Sequence, residues 1–176
     1  MLRGKFYRFI FYSMLVISAQ MLPSDLNAKG LHGIDIGKTR CDVLKDRFKI
    51  LKKTAIRNNE TAYYLEYTAG NEAPFPFSAE CNQKGLVVSV TDYLPNTALD
   101  DVIRFFNNNK NFKLIQVTSA HHPGDHEAFL YEVGDFVTLI IKAPDQSQPI
   151  IIISSSKEHF RDLQLGFLHE KGYIGK

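Results

Sequence analysis

The chain reads as an α+β protein: an antiparallel sheet with helices packed on one side, arranged as two helix-plus-sheet repeats behind an export signal. Three observations predict this. Apolar positions switch between a helical period and strict alternation along the chain. Short polar turns join successive alternating segments, as in hairpins. Consecutive strand candidates lack the intervening helices that a parallel sheet requires.

The first segment is not part of the fold. Arg3, Lys5 and Arg8 precede an apolar run from Phe9 to Ala19, the charge-then-apolar order of a secretory signal. Even extended to Leu22, the run is interrupted by Ser13, Ser18 and Gln20, whereas a membrane span needs about 20 apolar residues. Cleavage near Ala28 is favoured, because Pro23, Ser24, Asp25 and Asn27 precede it, and Ala19 is the alternative. Residues 1–28 are therefore assigned to a signal peptide and 29–176 to a single α+β domain with sub-repeats 29–95 and 96–176. The first cysteine, Cys41, lies far beyond the apolar run, so no lipid attachment and no permanent membrane anchor are expected. The mature protein is expected to be periplasmic or secreted.

Export removes the basic bias. Of 21 Lys and Arg, Arg3, Lys5 and Arg8 leave with the signal, and of 19 Asp and Glu, Asp25 does, which leaves 18 of each sign. A neutral domain lacks the basic surface by which proteins neutralise phosphates, so no nucleic-acid partner is expected. Two cysteines in an exported chain are read as a disulfide, Cys41 with Cys81. The competing reading, a reactive thiol, lacks a neighbouring histidine or a C-x-x-C motif to lower its pKa.

Along the mature chain, Gly33-Ile34-Asp35-Ile36-Gly37 alternates and predicts a short strand. Thr39 and Asp42 then mark a helix start, with Cys41, Leu44, Phe48 and Leu51 on one face and Lys49, Lys52 and Lys53 at its solvated end. Tyr63, Leu65 and Tyr67 alternate with Tyr64, Glu66 and Thr68 as a strand. Phe77, Ala79 and Cys81 form the next, which turns at Asn82-Gln83-Lys84-Gly85 and returns as Leu86 to Tyr93. The pattern restarts with Thr97 and Asp100 before a helix carrying Leu99, Val102, Ile103 and Phe106. Strands are predicted at Lys113–Ser119, Ala128–Val133, Phe136–Lys142 and Ile150–Ile153. Ser155 and Glu158 open a last helix with Phe160, Leu163 and Phe167 inward, ending at Gly172. The two halves share a capping pair and the triplets Asp42-Val43-Leu44 and Asp101-Val102-Ile103.

The passage Gly33-Ile34-Asp35-Ile36-Gly37-Lys38-Thr39, leading into Asp42-Val43-Leu44, resembles the opening of small exported bacterial α+β modules. These are of the kind of the β-lactamase inhibitor protein and the small lipoprotein of the outer-membrane assembly machine. The likeness covers some fifteen residues and the helix-then-sheet order. It implies a non-catalytic role in binding another envelope or secreted protein, and it assigns no functional residue. This chain departs from the lipoprotein in lacking the lipid-bearing cysteine, and from the inhibitor in having one candidate disulfide.

Few residues point to chemistry. His121, His122 and His126, within His121-His122-Pro123-Gly124-Asp125-His126-Glu127, are the candidate metal ligands, since imidazoles and carboxylates suit zinc. Pro123 and Gly124 break the helical spacing that would aim two histidines together, so the same stretch reads as a hydrated loop. A small metal-dependent or hydrolytic envelope enzyme using 121–127 is the alternative to the binding module. His159 and His169 read as surface or helix-end residues, and His32 stands alone. No G-x-S-x-G turn and no glycine-rich phosphate loop occurs, and Ser154, Ser155 and Ser156 read as a strand end and helix cap. No cofactor is implied. Tyr64 is the candidate binding residue if its strand face is open; otherwise Tyr63, Tyr64 and Tyr67 pack beneath helices.

Overall fold

The computed structural model describes residues 31–56, 59–67, 74–95, 97–118, 126–143, 145 and 147–162. Residues 1–28, read from the sequence as an export signal, lie outside the described residues, as do His121, His122, His169, Leu163, Phe167 and Gly172.

The protein is mostly sheet, with a few short helices. Eight strands form one sheet: β1 (Lys49–Ala55), β2 (Thr61–Tyr67), β3 (Phe75–Cys81), β4 (Val87–Leu94), β5 (Lys113–Thr118), β6 (Glu127–Val133), β7 (Phe136–Lys142) and β8 (Ile150–Ser156). Their order is β1-β2-β3-β4-β8-β7-β6-β5, and every neighbouring pair is antiparallel. Each half of the chain is thus a four-stranded meander, and the two meanders meet through their last strands. At that seam Thr91 lies opposite Ile153 and Ser89 opposite Ser155.

A 3-10 turn, Cys41–Val43, runs into α1 (Leu44–Arg47), and α2 spans Leu99–Asn108. Alternation along the strands places their cores on one common face. Ile34, Ile36, Leu44 and Phe48 pack there with Leu65, Phe77, Ala79 and Val90. Across the seam, Val102 and Phe106 of α2 pack with Tyr131, Ile140, Ile150 and Ile152. Phe106 is edge-on to Phe112 at 4.8 Å between ring centres, a favoured aromatic geometry. Tyr131 is fully buried, and its hydroxyl donates to Asn107 Oδ1 at 3.0 Å, so the ring is buried without leaving the polar group unpaired. Burial pushes the Tyr131 phenol pKa up.

Several local readings are corrected. The first helix ends at Arg47, and Leu51 with Lys49, Lys52 and Lys53 belongs to edge strand β1. The lysines are therefore not a helix end. They line an exposed sheet edge, a placement that discourages pairing with another chain. Residues 33–37 form no strand, because Gly33 and Gly37 both adopt positive φ and the chain turns back over Asp35–Thr39. There the Asp35 amide donates to Thr39 Oγ1 at 2.8 Å, and the Asp35 carbonyl accepts from the Lys38 and Thr39 amides. Thr39 and Thr97 do not cap helices. The cap positions are Arg40 and Ala98, and neither makes a side-chain cap bond. At the last helical stretch, residues 157–162, Ser156 rather than Ser155 accepts an amide hydrogen, from His159 at 3.3 Å.

Candidate functional site

Three places gather chemistry-bearing side chains. The first is the cross-link predicted from the sequence. Cys41 and Cys81 are joined, with their Cα atoms 6.2 Å apart, and both sulfurs sit in the first core. Backbone bonds fix the approach: Gly37 N to Val87 O at 2.6 Å and Cys41 N to Gly85 O at 2.8 Å. The bridge ties the segment before α1 to β3.

The second is a histidine that sequence reading left alone. His32 stacks on Phe77 at 4.3 Å between ring centres and donates from Nε2 to Asp92 Oδ1 at 2.6 Å. Asp92 is buried, and its Oδ2 has no hydrogen-bond partner among the described residues. His32 adopts φ 61°, a left-handed conformation that costs a non-glycine residue about 1–2 kcal/mol. Arg47 holds that turn, donating to the carbonyls of His32 at 3.0 Å and Gly33 at 3.1 Å. A buried carboxylate needs such a donor, so the pair anchors the 31–39 segment at the middle of the sheet.

The third lies on the opposite face. Because Ala79 and Cys81 point into the core, Glu80 between them points away from it, and Glu132 beside buried Tyr131 does the same. Residues 157–162 reach over this second face, so the helical segments are not confined to one side of the sheet. Lys157 pairs with Glu132. His159, predicted as a surface or helix-end residue, is buried; its Nε2 lies 2.8 Å from Glu80 Oε2 and its Nδ1 3.8 Å from Glu60 Oε1.

Tyr64 also stands on this second face, 40% exposed. Lys52 places its ammonium 5.7 Å from the ring centre, within cation–π range. Lys49 and Glu66 pair beside it at 2.8 Å. Tyr63 points the other way, against the first core. The two tyrosines thus stand on opposite faces of β2, as the alternation in the sequence predicts. From Tyr64 one rung of the sheet runs through Ser78, Thr91, Ile153, Leu139 and Leu130.

Of the candidate metal ligands, His126 is exposed just before β6, and His121 and His122 fall outside the described residues. Among the described residues no three His, Cys, Asp or Glu side chains group as metal donors, and no helix is long and apolar enough to cross a membrane. No family model, curated protein or solved structure matches the chain.

Proposed function

We propose that the chain is an exported, non-enzymatic module that binds another envelope or secreted protein through the Tyr64 side of its second sheet face. One observation carries the reading: a tyrosine stands exposed on a paired strand, on the face turned away from the core, with a lysine on its ring. An aromatic ring held on a rigid strand loses little freedom on binding, and tyrosine is enriched at interfaces and their hot spots. The disulfide supports the oxidising compartment that export implies.

The contact face is built from two related halves. Lys49 opposite Glu66 and Lys113 opposite Glu132 open the first pairing of each meander, and a bulge follows in both, after Ile50 and after Leu114. Such correspondence at matching rungs supports duplication of a helix-plus-meander unit, and with it the assignment of 29–95 and 96–176 as sub-repeats. The halves differ where the second face is concerned: Tyr64 and Ser78 in the first stand where the second carries Leu130 and Leu139.

The test is a photo-crosslinking residue placed at position 64 in the native source, against one at exposed Lys38 on the turn before α1. The proposal expects a discrete adduct from position 64 alone. It also expects Tyr64→Ala to weaken binding of the captured species by about tenfold or more. Identical adducts from both positions, or an unchanged affinity, would refute it.

A further inference from the structure

We propose that His159 is the key of a pH-operated latch, which fastens residues 157–162 across the second sheet face and releases them when the imidazole loses its proton. The placement comes from the register. One rung of the sheet runs Glu80, Ser89, Ser155, Val137, Glu132 across β3, β4, β8, β7 and β6. The two side chains that tie the last helical residues to the sheet land on the two ends of this rung: His159 on Glu80 and Lys157 on Glu132. Between them Ser89, Ser155 and Val137 are 1%, 0% and 5% exposed. Serines at those central sheet positions leave room for a close approach that larger strand-forming residues would prevent.

The chemistry of the key follows from what surrounds it. Both ring nitrogens face carboxylates, Glu80 from β3 and Glu60 from the turn before β2, and Asp162 adds a third negative charge from the same helical stretch. A carboxylate only accepts hydrogen bonds, and a neutral imidazole carries one N–H. The ring can serve both neighbours only as the doubly protonated cation. Burial opposes that charge and would lower the pKa, but the hydrogen bond and charge of Glu80, with the charges of Glu60 and Asp162, outweigh it, and the pKa is raised. A raised pKa means that the latch is fully held below the ordinary histidine range. It is lost as pH rises through the elevated value. Lys157 on Glu132 remains as a tether at the β6 end, so release frees the β3 end first. The latch does not depend on the binding reading, since no partner enters it.

The experiment is an NMR titration of the full chain that follows the His159 ring and, in parallel, amide-exchange protection of residues 157–162, corrected for intrinsic rates. The ring should titrate above about 6.5. Protection should begin to fall near the ordinary histidine value and level off above the ring's own midpoint, by about tenfold in all for each unit of elevation. Glu80→Gln, which keeps the side-chain shape, should lower the ring's midpoint and shrink the fall in protection with it, and His159→Gln should leave protection low and independent of pH. A ring that titrates at or below its ordinary value overturns the latch. So does protection that keeps falling above the ring's midpoint, or wild-type pH dependence in His159→Gln.

Discussion

Removal of the Cys41–Cys81 bridge is the perturbation whose size the structure sets most directly. The bridge closes a loop with a sequence separation of 40, and the chain-entropy relation for a loop of that length gives about 4 kcal/mol of stabilisation. Replacing both residues by alanine adds little cavity cost, since each loses one sulfur atom from a core that keeps Leu44, Phe77 and Val87 around it. The backbone bonds at Gly37 and Cys41 hold the same approach without the bridge, so the native fold should persist in the variant. The assay is urea unfolding of wild type and of Cys41→Ala with Cys81→Ala. With a slope of about 2 kcal/mol/M, the midpoint should fall by about 2 M, and the slope should rise somewhat as the unlinked unfolded chain exposes more surface. Reducing agent should shift the wild type to the variant's curve and leave the variant where it is. A midpoint shift below about 0.3 M would refute the reasoning, because it would mean that the loop is not free in the unfolded chain or that the cross-link does not form.

Other perturbations test other parts of the fold. Gly33→Ala puts a Cβ 3.1 Å from Arg47 Nη2 at φ +66°, and thermal melting should show a loss of about 1–2 kcal/mol. Phe106→Ala empties the centre of the second core, where the ring touches Phe112 and Tyr131, and should cost about 3–5 kcal/mol in the same assay. Lys157, first by its hydrogen bond and then by its charge, holds the Glu132 carboxyl below the usual carboxylate range. Lys157→Ala should raise that carboxyl's pKa back towards the ordinary carboxylate range in an NMR titration. Because the folded-state value is lowered, the pair's contribution is present above the unfolded value and lost as pH falls through the folded one.

The strands were legible where alternation and a turn occurred together, as at Phe77 to Tyr93 and Ala128 to Lys142, because both signals act within a few residues. β1 was not. Cys41, Leu44, Phe48 and Leu51 continue a helical stripe, and only pairing with β2, a contact remote in sequence, turns Lys49–Ala55 into a strand. The capping signatures at Thr39 and Thr97 were present as residues but not as bonds, since Thr39 is taken by Asp35 and Thr97 by the Pro95 carbonyl. The disulfide could be read because each cysteine's local pattern turned it inward. His32 and His159 could not, because their carboxylate partners lie 60 and 79 residues away. One faint signal did exist for His159. Ser78, Ser89 and Ser155 interrupt strands at positions where branched or aromatic residues would be usual, and small side chains in a sheet interior point to a close neighbour overhead.

The two cores share one face of the sheet only because the two meanders are joined through β4 and β8. The direct measurement is the set of backbone nuclear Overhauser contacts in the labelled protein between Val90–Asp92 and Ile152–Ser154. The account predicts cross-strand contacts centred on the Thr91 and Ile153 rung, together with slow amide exchange on both strands. Absent contacts, with β4 and β8 exchanging as free edges, would contradict it.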